Sequence, residues 1–89
     1  MKIVEQWSNV TVIEVNDALQ VLFSYKTPVA AWVAGRGILR TEKSWSVTTS
    51  KHINQWVAMF NRPTVTKVPQ EEIDALADDP AKQAEVLNG

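Results

Sequence analysis

The run "SWSVTTSKHINQW" (Ser44–Trp56) holds the side chains best suited to chemistry: Ser46, Thr48, Thr49, Ser50, Lys51 and the chain's one histidine, His52. Free backbone N–H groups, hydroxyls and a lysine at a helix N-terminus make a competent anion site. The same hydroxyls also cap helices with no ligand involved, Thr49 or Ser50 being the N-cap candidate here. Lys51 and His52 sharpen the question, because the first helical turn ordinarily prefers acidic residues.

A lone histidine cannot build a histidine-cluster metal site, and no Cys, Asp or Glu stands near it at ligand spacing. Nucleophilic catalysis would need an aligned hydroxyl and an orienting carboxylate, and Ser50 is too close in sequence to align. His52 is therefore expected to lie partly under the helix, bonded to backbone. With no cysteine anywhere, disulfides, thiol chemistry and cysteine-ligated metals are excluded. Gly35 and Gly37 read as hairpin glycines, not as a phosphate loop. The inventory points away from an enzyme, with no cofactor and no metal expected.

Four tryptophans in 89 residues are many. Trp56 falls on a helical apolar stripe and Trp32 in a strand, whereas Trp7 and Trp45 have polar neighbours. An aromatic beside lysines and arginines can stack on unpaired bases while the cations meet phosphates. The candidate contacts for an anion or nucleic acid are thus Arg36, Arg40, Lys43, Trp45, Thr49, Ser50 and Lys51. The bland alternative is that Trp serves here as core volume.

The elements that must carry these residues are readable. "NVTVIEV" (residues 9–15) and "ALQVLFSY" (residues 18–25) predict two strands joined through Asn16-Asp17. With that loop, Val12 faces Val21 and Val10 faces Phe23, so that Val10, Val12, Leu19, Val21 and Phe23 share one face. "TPVAAWVA" and "GILRTEK" predict a second pair around Gly35-Arg36-Gly37, with Val33 opposite Ile38 and Trp32 opposite Leu39. The small residues Ala30, Ala31 and Ala34 anticipate close approach of a covering helix. "SWSVT" is expected to extend or follow the fourth strand. Ile53, Trp56, Val57 and Phe60 then recur at i, i+3, i+4, i+7, predicting an amphipathic helix over residues 51–60, closed by Asn61 and Pro63.

Charge divides the chain. The first 67 residues hold eight Lys or Arg against four Asp or Glu, while residues 68–89 hold one against six. Pro69 followed by Gln70, Glu71 and Glu72 signals a helix start, repeated at Asp79-Pro80. With only Ile73 and Leu76 as sizeable anchors, this tail is expected to be loosely attached and dispensable for folding.

"FSYKTPVAAWV" followed by "TEKSWSVTTSKHINQW" resembles a family of small uncharacterised domains of bacteriophages and plasmids, in which a "SY-x-T-x-VA" strand precedes "T-x-K-x-x-S-x-TTSKHIN". The match spans about residues 23–56. It implies a mobile-element origin, hence the cytoplasm of a bacterial host, and carries over no catalytic or binding residue.

The length allows one domain with a modest core. No apolar run reaches a membrane span, and "MKIVEQWSNV" lacks the apolar stretch of a secretory signal. The expected fold is α+β: an antiparallel four- to five-stranded meander with one amphipathic helix (body, 1–67) and an acidic helical tail (68–89). The expected function is binding of a macromolecule, nucleic acid ahead of a host protein. A protein-binding inhibitor or adaptor is the alternative, and self-association stays open.

Overall fold

A computed structural model describes residues 2–77. In chain order the elements are β1 (Lys2–Trp7), β2 (Val10–Asn16), β3 (Leu19–Ser24), β4 (Thr27–Val33), β5 (Gly37–Thr41), α1 (Val47–Val57) and β6 (Val65–Val68), followed by a helix over residues 70–77, here α2. One six-stranded sheet runs in the order β1-β2-β3-β4-β5-β6. The first five strands form an antiparallel meander, of which β2–β5 are the four strands expected and β1 was not anticipated. The sixth, also unanticipated, pairs parallel to β5, so the sheet is mixed, and a second helix packs on it. A parallel neighbour needs a crossover connection, and α1 supplies it. β6 is only "VTKV", too short to announce itself by periodicity.

Both faces of the sheet are covered. Ile38 and Leu39 are consecutive on β5 and so point to opposite faces. Ile38 packs with Val10, Val12, Leu22, Ala30 and the α1 residues Ile53 and Trp56. Leu39 packs with Val68 and with Ile73 of α2, flanked by Val33 and Leu76. Ala30 and Ala31 are completely buried, and the helix anticipated over these small residues is α1, against Ala30.

The registers differ from those expected by one residue. Val12 pairs with Leu22 and Val10 with Ser24, around a loop of Asp17 and Ala18 that begins after Asn16↔Leu19. The Asn16 side chain accepts the Ala18 N–H at 2.8 Å, so Asn16 closes the strand rather than occupying the turn. A shift in register between Glu14 and Asn16 accommodates the difference. Val10, Val12, Leu22 and Ser24 therefore share the α1 face, and Val21 faces the other way. Likewise Trp32 pairs with Ile38 and Val33 with Gly37. Gly37 has a φ of +82°, and a Cβ there would stand 2.6 Å from the Thr64 carbonyl oxygen. That oxygen accepts the Ile38 N–H, so a glycine is what lets the chain leading into β6 approach β5.

α1 begins four residues earlier than expected and ends at Val57. The N-cap is Ser46, not Thr49 or Ser50. Its hydroxyl accepts the Thr49 N–H at 3.1 Å, so "SVT" opens a helix instead of extending a strand. Ile53 and Trp56 are buried as expected, with Val57 and Phe60 packed at the core's margin. Residues 58–60 close the helix with short-range bonds from Met59 to Trp56 and from Phe60 to Val57.

The start of the acidic segment is part of this packing. Val68 is the last residue of β6, and Ile73 is fully buried. Gln70 donates to the Pro28 carbonyl at 2.8 Å, and Arg36 pairs with Glu72 at 3.0 Å. The helix start expected at Asp79-Pro80 lies outside the described residues. No helix among the described residues is long and apolar enough to cross a membrane.

Candidate nucleic-acid interface

Two hydroxyls at the α1 N-terminus, those of Ser46 and Thr49, are spent on the fold itself. The Ser46 hydroxyl donates to the Thr49 hydroxyl at 3.2 Å, and Thr49 in turn lies 3.1 Å from the Ser24 hydroxyl at the end of β3. Ser24 is also 2.8 Å from Nδ1 of His52. Ser24, Thr49 and His52 are all buried, so this network rivets α1 to the sheet. His52 is held by a side chain and not by backbone, the one part of its expected placement that changes. A serine beside a histidine is the pairing of a nucleophile and base, but both are buried here and no carboxylate among the described residues bonds the imidazole.

Removing the shared hydroxyl should be costly in proportion to what it leaves unpaired. Ser24→Ala leaves the His52 imidazole nitrogen without its partner in a buried site, while Thr49 keeps the Ser46 hydroxyl, and should cost about 1–3 kcal/mol. Urea unfolding should show a lower midpoint at unchanged slope. A midpoint equal to that of the parent chain would mean that the network contributes nothing.

The seven candidate contacts are not one patch. Lys43 and Trp45 come together in the loop between β5 and α1, with the ammonium 4.2 Å from the centre of the indole ring. Trp45 is 40% exposed, and its indole N–H donates to the Gln70 side chain at 3.2 Å. Ser50 and Lys51 are exposed on α1, whose first turn contains no acidic residue. Arg40 is half-buried on β5, donating to Asn54 of α1 at 3.1 Å, with Lys67 of β6 beside it in register. Lys51 is one helical turn before Asn54 and so lies along the same flank. Thr49 faces inward and is unavailable to a ligand. Arg36 sits in the β4–β5 turn, at the opposite end of β5 from Lys43, and is engaged by Glu72. The acidic segment therefore meets the basic body at Arg36 through Glu72, and reaches Trp45 through Gln70.

The end of the sheet that carries Lys43 and Trp45 also carries residues that sequence reasoning missed. β3 and β4 join there through the two-residue turn Tyr25-Lys26, set by the pair Ser24↔Thr27. Tyr25 has a φ of 58° and Asn9, in the neighbouring β1–β2 turn, a φ of 62°. The Tyr25 N–H donates to the Asn9 carbonyl at 2.6 Å, bracing the two turns. Left-handed backbone costs an ordinary L-residue about 1–2 kcal/mol. A tyrosine is unusual at a turn position that favours Gly, Asn or Asp; without such a residue "SYKT" gave no turn signal. The Tyr25 ring lies 6.0 Å from that of His52, centre to centre. Among the described residues no group of three or more His, Cys, Asp or Glu could hold a metal ion.

Residues 1–75 match the model of a family of unknown function, DUF8033, and the chain belongs to that family. No curated protein and no solved structure matches the chain.

Proposed function

We propose that this member of a family of unknown function is a non-enzymatic binding module, of mobile-element origin, that takes single-stranded nucleic acid across the sheet end bearing Lys43 and Trp45. The observation that carries the reading is the ammonium of Lys43 over the half-exposed Trp45 ring. A base can stack on the outer face of such a ring while the cation meets the adjoining phosphate, whatever the sequence. Lys26 lies in a turn at the same end of the sheet, Lys51 is exposed on α1, and the first turn of α1 adds no opposing charge.

Binding of a short oligonucleotide should fall steeply with salt, with a log–log slope equivalent to a few phosphate contacts. Lys43→Ala should flatten that slope by about one unit. Trp45→Ala should weaken binding by about 1–3 kcal/mol without changing the slope, because it removes stacking and not charge. If the protein retains no oligonucleotide even at low salt, this reading is wrong. A second reading, a protein-binding inhibitor or adaptor, would then take its place. It is favoured by the exposed carboxylates Glu71 and Asp74 on α2, which suit a basic protein surface. A nuclease-treated pull-down would recover its partner unchanged.

A further inference from the structure

Two turns meet at the end of the sheet, and between them lies a cleft of about 250 Å³ lined by Gln6, Trp7, Asn9, Val10, Tyr25 and Lys26, among others. We propose that this cleft receives one unpaired nucleobase, with the Tyr25 ring as its stacking surface and Lys26 meeting the adjoining phosphate. The proposal rests on the reading of the preceding subsection and extends it to a second contact at the same end of the sheet.

The first argument is the backbone of Tyr25. It occupies the first position of a two-residue hairpin turn at φ 58°, where glycine would be free of strain. Burial repays little of that strain, since Tyr25 is 55% exposed and its ring meets that of His52 only at 6.0 Å between centres. Nor does a hydrogen bond peculiar to tyrosine hold it, because the bond to Asn9 comes from the backbone N–H, which any residue but proline would supply. A strained, solvent-facing aromatic is the kind of feature that collects at ligand sites.

The second argument is what surrounds it. Trp7 contributes a second aromatic wall, itself anchored by packing against the core on the α1 face. Gln6 and Asn9 supply amides that both donate and accept, as the edge of a base requires. Among the described residues no carboxylate lines the cleft, and Lys26 does. An aliphatic ligand would leave the amides unmatched, and an acidic peptide would have no use for two aromatic faces. A planar group with a polar edge on an anionic backbone uses all of them.

The test is a set of Tyr25 variants of the full chain, titrated with a labelled oligothymidylate of about ten nucleotides. Tyr25→Gly should melt several degrees higher, because the turn is relieved, and yet bind roughly tenfold more weakly. Tyr25→Asn, which also tolerates positive φ, should lose the same affinity and guards against a turn loosened by glycine. Tyr25→Phe should restore the binding lost in Tyr25→Gly, since the ring makes the contact. If the parent chain binds and the glycine and asparagine variants bind equally well, the cleft is overturned while Lys43 and Trp45 keep their role. If the parent chain binds no oligothymidylate, the preceding reading falls and the cleft falls with it.

Discussion

Trp56→Ala is expected to leave the protein largely unfolded at room temperature or close to it. The indole is 1% exposed and meets Phe60 edge-on, with ring centres 5.2 Å apart. It belongs to the cluster that joins α1 to β2, β3, β4 and β5, so no single neighbour can move in to fill its volume. Truncating a buried aromatic costs about 3–5 kcal/mol, against a total of about 5–15 kcal/mol for an ordinary domain and the lower end for one this small. A melting curve followed by far-ultraviolet circular dichroism should shift down by about 15 °C or more. A shift of only a few degrees would show that the α1 face is not the principal core.

A chain ending at Lys67 is expected to lose its cooperative transition, contrary to what the acidic composition of the remainder implies. Such a chain lacks Val68 and Ile73, which cover Leu39 on the second face of the sheet. It also loses the acceptor for the Glu42 N–H, which bonds the Val68 carbonyl at 2.8 Å, and the Gln70 bond to Pro28. A sheet with one face stripped exposes a contiguous apolar surface and so invites aggregation. Ile73→Ala in the full chain isolates the packing part of this loss and should cost about 2–5 kcal/mol. Equal urea midpoints for the full chain and the shortened one would refute both expectations.

Much of the candidate site was legible because it is local. Lys43 and Trp45 are two residues apart, and Lys51 follows on the helix they lead into, so their neighbourhood needed no tertiary information. Tyr25 escaped notice because its turn carries none of the residues by which such turns are read. The division of Arg36 from Lys43 was implicit in the predicted strand "GILRTEK", which has Arg36 before its start and Lys43 at its far end. The pairing of Arg36 with Glu72 was not legible, because it joins residues 36 positions apart.

The sequence alone determined the two hairpins, the amphipathic helix and its anchors Ile53 and Trp56, since strand and helix periodicities are local properties of the chain. Register was left to the tertiary structure. Apolar residues such as Val12 and Val21 can be placed on one face by pattern alone, but α1 and α2 cover both faces, so the pattern does not distinguish two registers one residue apart. The closing bond of Asn16 and the register shift beside it decided between them. Partnerships between distant residues were likewise invisible: Ser24 meets His52 across 28 positions, and β6 exists because β5 offers it an edge. The inward turn of Thr49 follows from helix phase. Once Ser46 caps α1, Thr49, His52, Ile53 and Trp56 form a single buried stripe at i, i+3, i+4, i+7, which carries the threonine away from any ligand and into the core.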